Sequence, residues 1–133
     1  MKREEYKIAF ELVKWLRKEH RNLLWKFDLS SDMKVSIGQA VQMKKLVQLR
    51  GHPDFNLMET NSKYAGLFLE LKKDKSEIYK KDGTWKKDNH VHEQRLYLEV
   101  LETKGYRARF VWSLEQAKQE IIDYIKEKRN EKH

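Results

Sequence analysis

The chain has 133 residues, which is long enough for one domain with a substantial core. Its 29 Lys and Arg exceed its 21 Asp and Glu, and the net charge of +8 favours a polyanionic partner, although a merely basic, well-solvated protein has the same balance. Cysteine is absent, which excludes disulfides and thiolate chemistry, and the sequence has neither an apolar run of membrane-spanning length nor a signal-peptide pattern, so we expect a cytoplasmic protein without membrane contact.

Apolar residues at helical or alternating spacing predict five elements in the first half of the chain. Ile8, Leu12 and Leu16 recur at helical spacing within the first of them. Gly51 and Pro53 separate the second helix from the strand that follows it. The predicted elements are a helix over 4–19, a strand over 23–27, a helix over 38–49, and strands over 54–58 and 67–72.

A lysine-rich segment opens the second half of the chain. Residues 73–89 have no clear period and contain Gly83, which predicts a loop. Ser113, followed three residues later by Gln116, is typical of a capping box that opens the last helix. The remaining predicted elements are a helix over 90–103, a strand over 108–112 and a helix from 114 to about 126. The order of elements predicts a small mixed α/β protein.

Three charged residues lie on or beside the two central strands. Alternation along LFLELK places Glu70 and Lys72 on one face of the strand and the three leucines on the other. A hairpin between the two strands would bring Asp54 beside them. Two carboxylates bind Mg²⁺ well, and a nearby lysine can orient an attacking water or stabilise the transition state at a phosphate. The ExK spacing alone also occurs on the wet face of surface strands, but the upstream Pro53-Asp54 pair favours function.

Asp54 with Glu70-Leu71-Lys72 resembles the PD-(D/E)xK motif of a nuclease superfamily. The segments GHPDF, FLELK and EQRLYLEVLETKGYRARFVWS together resemble the VRR-NUC family, especially its small single-domain phage-type members, and the resemblance covers residues 4–125. It implies one nuclease domain over residues 1–133, with a restriction-endonuclease-like α/β fold in which helices flank a mixed sheet and the core order is αβββαβ.

The resemblance also implies a role for each motif residue. Asp54, Glu70 and the backbone carbonyl of Leu71 would bind Mg²⁺, for which Mn²⁺ would substitute. Lys72 would be the catalytic lysine, and Gln94 would face the site from its helix.

A glutamate on the first helix completes the catalytic set in that family. Glu4, Glu5 and Glu11 compete for this role, and their spacing does not decide among them. We favour Glu5, because Glu11 lies between apolar positions further along the helix.

The activity implied by the resemblance is a metal-dependent endodeoxyribonuclease that acts on branched DNA such as a Holliday junction. A homodimer in the cytoplasm of a bacterial or phage-infected cell is expected. No nucleotide cofactor is expected, since the chain has no Gly-rich phosphate loop. Two other hypotheses remain: a non-catalytic, basic nucleic-acid-binding module, and a nuclease with a different substrate preference.

Basic residues on both sides of the motif are candidates for nucleic-acid contact. The lysine-rich loop fits either a DNA-contacting flap or a solvated insertion, and Trp85 within it could stack on a base. A metal role for His90 and His92 is set aside in favour of a helix-start or phosphate contact, because residues two apart project to different sides of a helix. His52 could reach the site, but we favour a role in filling the turn before the motif. The candidate nucleic-acid-binding residues are Lys44, Lys45, Arg50, Lys73, Lys75, Lys80 and Lys81.

Overall fold

The helices and strands of the protein follow one another in the predicted order. The computed structural model describes residues 3–28 and 34–130, and side chains as far as residue 127. The elements within these residues are α1 (Arg3–Glu19), β1 (Trp25–Phe27), α2 (Ile37–Lys44), β2 (Phe55–Leu57), β3 (Leu67–Leu71), α3 (Asn89–Thr103), β4 (Arg107–Val111) and α4 (Leu114–Asn130). The first three strands are one or two residues shorter than predicted, and β4 begins and ends one residue earlier than predicted. Asp54 therefore lies immediately before β2 rather than within it.

The strands form one mixed sheet in the order β1-β2-β3-β4. The pairs β1–β2 and β2–β3 are antiparallel, and β3–β4 is parallel, with α3 as the crossover between them. Phe55 pairs with Leu69, and Glu70 pairs with Phe110. A mixed four-stranded sheet flanked by helices is the restriction-endonuclease-like fold, and this prediction is confirmed.

Both faces of β3 are buried. Leu67, Leu69 and Leu71 pack in one core with α1 and α4. Phe68 lies in a second core with Val91, Leu98 and Phe110 from α3 and β4. The predicted alternation is therefore confirmed, but Glu70 and Lys72 lie on a face that is buried and not exposed to solvent.

Helix α2 differs from its prediction. It ends at Lys44 instead of 49, and none of its residues is buried. A capping box starts it, because the Ser36 hydroxyl accepts from the Gln39 N–H (3.1 Å) and the Gln39 side chain accepts from the Ser36 N–H (3.0 Å). At its end, the N–H of Leu46 donates to the carbonyl of Met43 (3.0 Å), a tighter turn than an α-helix makes.

The lysine-rich loop is folded against the sheet. It contains a short 3₁₀ helix (Lys75–Glu77) and a bridge between Tyr79 and Trp85. The Trp85 ring lies 4.8 Å from the Tyr79 ring and 6.1 Å from the Phe110 ring, and the Arg95 guanidinium lies 4.8 Å from its centroid. These contacts indicate that Trp85 anchors the loop to α3 and β4.

Side chains accept hydrogen bonds from backbone N–H groups along the outer edge of β4. The N–H of Ala108 donates to Glu102 (2.8 Å), and the N–H of Trp112 donates to the Gln116 side chain (2.8 Å). Ser113 accepts from the Gln116 N–H (3.1 Å) as predicted, but the Gln116 side chain reaches Trp112 and not Ser113. Over the described residues, no helix is both long and apolar enough to cross a bilayer.

Candidate active site

A cleft of about 380 Å³ lies where β2 begins and β3 ends, between α1 and α3. It brings together residues from α1, from the position just after β1, from the segment that leads into β2, from the end of β3 and from the first two turns of α3. The lining residues are Glu5, Asp28, Val47, Leu49, Arg50, Gly51, His52, Asp54, Glu70, Lys72, His90, Glu93 and Gln94.

The cleft contains most of the buried polar side chains of the protein. Six polar or charged side chains are buried in the described part of the chain, and of these only Asn61 lies away from the cleft. Removing charged groups from water is unfavourable unless other groups stabilise them, so such a concentration is typical of a functional site. The other five are the residues predicted from the sequence: Glu5, Asp54, Glu70, Lys72 and Gln94.

Asp54 is fixed from both sides by the backbone of the sheet. Its carbonyl accepts from the N–H of Asp28 at the end of β1 (2.7 Å). Its carboxylate accepts from the N–H of Leu71 (2.9 Å), in the middle of the predicted motif. The preceding Pro53 is buried, and its ring restricts φ at the point where the chain enters β2. The predicted hairpin therefore places Asp54 beside Glu70 and Lys72.

Glu70 is a buried carboxyl next to other charged groups of the cleft. Burial raises the pKa of its carboxyl well above the ordinary range, and the charge of Asp54 and a hydrogen bond with it raise the pKa further. Lys72 opposes this shift, and Glu5 adds to it. One oxygen of Glu70, Oε1, is buried and accepts no hydrogen bond from the protein.

Gln94 faces the cleft from α3. Asp88 caps this helix by accepting from the N–H groups of His90 (2.8 Å) and Val91 (3.2 Å). Gln94 follows His90 by four residues and hence lies on the same face, and its Nε2 is 3.2 Å from His90 Nε2. Its Oε1 is the second buried oxygen of the cleft without a hydrogen-bond partner in the protein.

These two orphaned oxygens fit the predicted Mg²⁺ site, because buried polar atoms require a partner and Mg²⁺ prefers oxygen ligands. No group of three or more His, Cys, Asp or Glu side chains with metal-binding geometry occurs in the described part of the chain. The predicted set has only two carboxylates and a backbone carbonyl, and Mg²⁺ commonly completes such a set with water. The roles of Asp54, Glu70 and Leu71 as ligands stay predictions.

The structure distinguishes the three glutamates of α1. Glu5 is buried and lines the cleft, whereas Glu4 and Glu11 are exposed. Glu11 lies 3.3 Å from Lys14, one turn further along the helix. Only the preferred residue, Glu5, is therefore placed at the site.

The predicted nucleic-acid-binding residues are spread over a wider surface. Arg50 lines the cleft, and Lys44 shares a small neighbouring cavity with it. Lys45 is exposed just beyond α2. The remaining candidates are exposed in the folded loop but line neither cavity: Lys73, Lys75, Lys80 and Lys81. Their contact with nucleic acid stays a prediction.

Two residues that sequence reasoning missed or set aside extend the cleft. Lys86 and His90 line a second cavity, which shares Glu5, Lys72 and His90 with the first. The spacing of His90 four residues before Gln94 was the available signal, because both side chains then lie on one face of the helix. For Lys86, the sequence contained no signal beyond its positive charge.

His52 also has a more definite place than the turn-filling one expected from the sequence. Its Nδ1 lies 3.0 Å from the Tyr97 hydroxyl, and its Nε2 lies 3.8 Å from Asp28. These contacts hold the ring in the wall of the cleft.

The mixed sheet carries two carboxylates and a lysine at the ends of adjacent central strands, which is the arrangement that the resemblance to the PD-(D/E)xK motif implies. In keeping with this, a solved structure described as a "VRR_NUC domain protein" has a TM-score of 0.63 to this chain, with 22% identity over 96% of this chain and 92% of the other. The resemblance predicted from the motifs is thereby confirmed at the level of the fold. No protein-family model and no curated protein matches the sequence.

Proposed function

We propose that the protein is a Mg²⁺-dependent endodeoxyribonuclease that hydrolyses phosphodiester bonds in this cleft. One observation carries the proposal: Asp54, Glu70 and Lys72 are buried together, and two oxygens of this cleft, Oε1 of Glu70 and Oε1 of Gln94, are buried without hydrogen bonds from the protein. The fold shared with a VRR_NUC domain protein agrees with this activity.

The metal site would consist of Asp54, Glu70 and the carbonyl of Leu71, with Mn²⁺ as a substitute for Mg²⁺. A bound divalent ion would lower the pKa of water and neutralise negative charge at the phosphate. Glu5 lies close enough to Glu70 to raise the pKa of its carboxyl. It therefore adds negative charge at the position where the divalent ion would bind, which favours a cation.

Lys72 would supply positive charge next to the reacting phosphate. Its position on the strand is rigid, because its N–H donates to the carbonyl of Val111 (2.8 Å) and its side chain is buried. A fixed ammonium stabilises the extra negative charge of a pentacovalent transition state without reorganising. The unpartnered oxygen of Gln94 would accept a hydrogen bond from the attacking water and orient it. The expected products carry a 5′-phosphate and a 3′-hydroxyl.

The substrate we propose is branched DNA, such as a Holliday junction, in the cytoplasm of a bacterial or phage-infected cell. The net charge of +8 favours a polyanion, and Arg50 and Lys86 lie in the cleft and in the cavity that adjoins it. A two-fold homodimer would present two such clefts for paired cuts.

The test compares a lysine of the site with one outside it. Wild-type protein, Lys72→Ala and Lys104→Ala are incubated at fixed salt with supercoiled plasmid, a four-way junction, a flap, a duplex and a single strand, each with Mg²⁺, Mn²⁺ or EDTA. Lys104 is exposed just beyond α3 and lines neither the cleft nor the cavity that adjoins it, so its replacement removes the same charge outside the site. We expect Lys72→Ala to abolish cutting while DNA binding stays within about threefold, and Lys104→Ala to cut like wild type.

Each alternative gives a different pattern. Wild-type protein that binds DNA and cuts none of the substrates with either metal would be a non-catalytic basic binding module. Metal-dependent cutting with equal rates on duplex and junction would retain the nuclease and reject the branched substrate. Cutting by Lys72→Ala at the wild-type rate would reject the assigned site.

A further inference from the structure

Residues 34–50, here called the α2 surface, are exposed to an unusual degree. All of them are exposed except Ala40, which is partly buried. Ile37 and Leu46, at 87% and 86%, have the highest exposure among the large hydrophobic side chains of the described residues. Soluble proteins rarely leave a contiguous apolar patch uncovered unless it binds something. The exposed apolar residues are Val35, Ile37, Val41, Met43, Leu46, Val47 and Leu49.

The same surface is purely cationic. It carries Lys34, Lys44, Lys45 and Arg50 and contains no Asp or Glu, in a chain that has 21 acidic residues in all. An apolar surface with only positive charges fits a partner that is both polyanionic and apolar. Nucleic acid with unstacked bases and an anionic membrane are two such partners.

The small size of α2 disfavours a membrane. The helix has eight residues, and its large exposed apolar side chains are Ile37, Val41 and Met43, which project within an arc of about 160°. This is a small apolar face for a helix that lies in a membrane interface, where binding strength scales with the buried apolar area.

The α2 surface is continuous with the cleft. Val47, Leu49 and Arg50 belong to it and also line the cleft that contains Asp54 and Glu70. A DNA strand with its scissile phosphate in the cleft would therefore lay its neighbouring nucleotides on this surface. This geometry favours DNA over a partner unrelated to the cleft.

We propose that the α2 surface binds unpaired bases next to the scissile phosphate, an inference that rests on the proposed nuclease function. The apolar side chains pack on exposed base faces, as apolar wedges do when they separate stacked bases, and Lys44, Lys45 and Arg50 contact the flanking phosphates. In a continuous duplex the base faces are stacked and inaccessible. The surface therefore selects DNA at a branch or at a single-stranded region.

The test removes apolar character and leaves every charge in place. The double variant Ile37→Ser/Leu46→Ser is compared with Leu24→Ser, which changes a 58% exposed leucine outside the α2 surface. Since all three side chains are exposed, folding should be retained, and a thermal melt verifies this. Two quantities are measured: kcat/KM with Mg²⁺ on a junction with unpaired bases and on a paired duplex of the same composition, and metal-free binding of both by fluorescence anisotropy.

For the double variant, we expect kcat/KM and affinity on the junction to fall about tenfold, with those on the duplex changed by less than about twofold. Leu24→Ser should behave like wild type on both substrates. A wild-type protein without preference for the junction in either measurement would overturn the inference, and so would a double variant that keeps the preference.

The design separates this inference from the nuclease proposal. If wild-type protein cuts nothing, the nuclease proposal fails, while the anisotropy comparison still decides whether the surface recognises unpaired bases. Sedimentation that shows a wild-type dimer and a monomeric double variant, with junction preference unchanged, would reassign the surface to contact between two copies. Binding of phosphatidylglycerol vesicles by wild type but not by the double variant, again with junction preference unchanged, would reassign it to a membrane.

Discussion

Gly51 lies so close to Gln94 that a Cβ atom on Gly51 would come within 2.8 Å of the Gln94 backbone nitrogen. Gly51 also has φ +90°, a conformation that L side chains rarely adopt. The turn that begins at Gly51 leads to Asp54, and Gln94 belongs to α3 on the opposite side of the cleft. The missing side chain therefore sets how closely the two walls of the candidate site approach.

The first prediction concerns Gly51→Ala. This variant combines backbone strain with a collision against α3, and we expect it to lower the free energy of unfolding by about 3 kcal/mol and to abolish cleavage. Gly83→Ala is the matched control, because Gly83 has φ +86° but a Cβ atom on it would meet no other atom within 4 Å. It should lose only about 1 kcal/mol, measured by urea unfolding. Equal losses in the two variants would show that the contact with Gln94 has no effect.

The second prediction compares two buried amide side chains, Asn61, which lies away from the cleft, and Gln94, which faces it. Asn61 donates to the carbonyl of Tyr124 (3.1 Å) and accepts from the N–H of Tyr64 (2.7 Å), so Asn61→Ala should lower the unfolding free energy by about 2 kcal/mol and leave the activity of the folded protein unchanged. Gln94→Met removes an oxygen that has no partner in the protein, together with the one contact of Nε2 to His90 (3.2 Å). The unfolding free energy of this variant should fall by less than about 1 kcal/mol, while cleavage falls.

Urea unfolding and cleavage rates, measured on the same preparations, test this contrast. A large loss of stability in Gln94→Met with proportionate loss of activity would make Gln94 a structural residue.

The third prediction identifies the glutamate of α1. Glu5→Gln should lower kcat/KM at least about tenfold and raise the Mg²⁺ concentration for half-maximal rate, because it removes a charge beside Glu70. Glu4→Gln should stay within about twofold of wild type, since Glu4 is exposed. A titration of the initial rate with Mg²⁺ measures both values. The reverse order of the two variants would assign the role to Glu4.

The sequence was sufficient to place Asp54, Glu70 and Lys72 together because the relevant rules are local. Alternation along β3 put Glu70 and Lys72 on one face, and the hairpin between β2 and β3 brought Asp54 to them. The choice among the glutamates of α1 was less determined, since it depends on how α1 approaches a sheet far away in the chain. Only the burial of Glu5 in the structure distinguished it.

The features that the sequence did not predict depend on contacts between distant segments of the chain. The apolar spacing in residues 38–49 predicted a helix, but whether another element would cover that helix depends on the packing of the whole chain. The contact of His52 with Tyr97 joins residues 45 apart in sequence, and no local pattern indicates it. Trp85 is a further example, because Arg95 and Phe110 come to its ring from elements that follow it.

The last prediction concerns pH and metal. Burial and the charge of Asp54 raise the pKa of Glu70 in the folded protein above its unfolded value. Above roughly pH 4 the unfolded state loses this proton, whereas the folded state retains it. Protonated Glu70 therefore contributes its full stability to the fold below that pH, and this contribution is lost as the pH rises through the folded pKa. Without metal, the unfolding free energy should fall over this range. Mg²⁺ binds the ionised carboxylate, so its stabilising effect should grow with pH.

Thermal melts in EDTA and in Mg²⁺, from pH 5 to pH 8, measure this effect. Glu70→Gln should be more stable than wild type in EDTA at pH 8, because its neutral amide requires no buried charge, and it should lose most of the stabilisation by Mg²⁺. Glu19→Gln, which changes an exposed carboxylate at the end of α1, should retain the wild-type dependence on both pH and Mg²⁺. If the Tm difference between Mg²⁺ and EDTA in wild-type protein is independent of pH, or persists in Glu70→Gln, then Glu70 does not bind the metal and the ligand set assigned to this cleft is wrong.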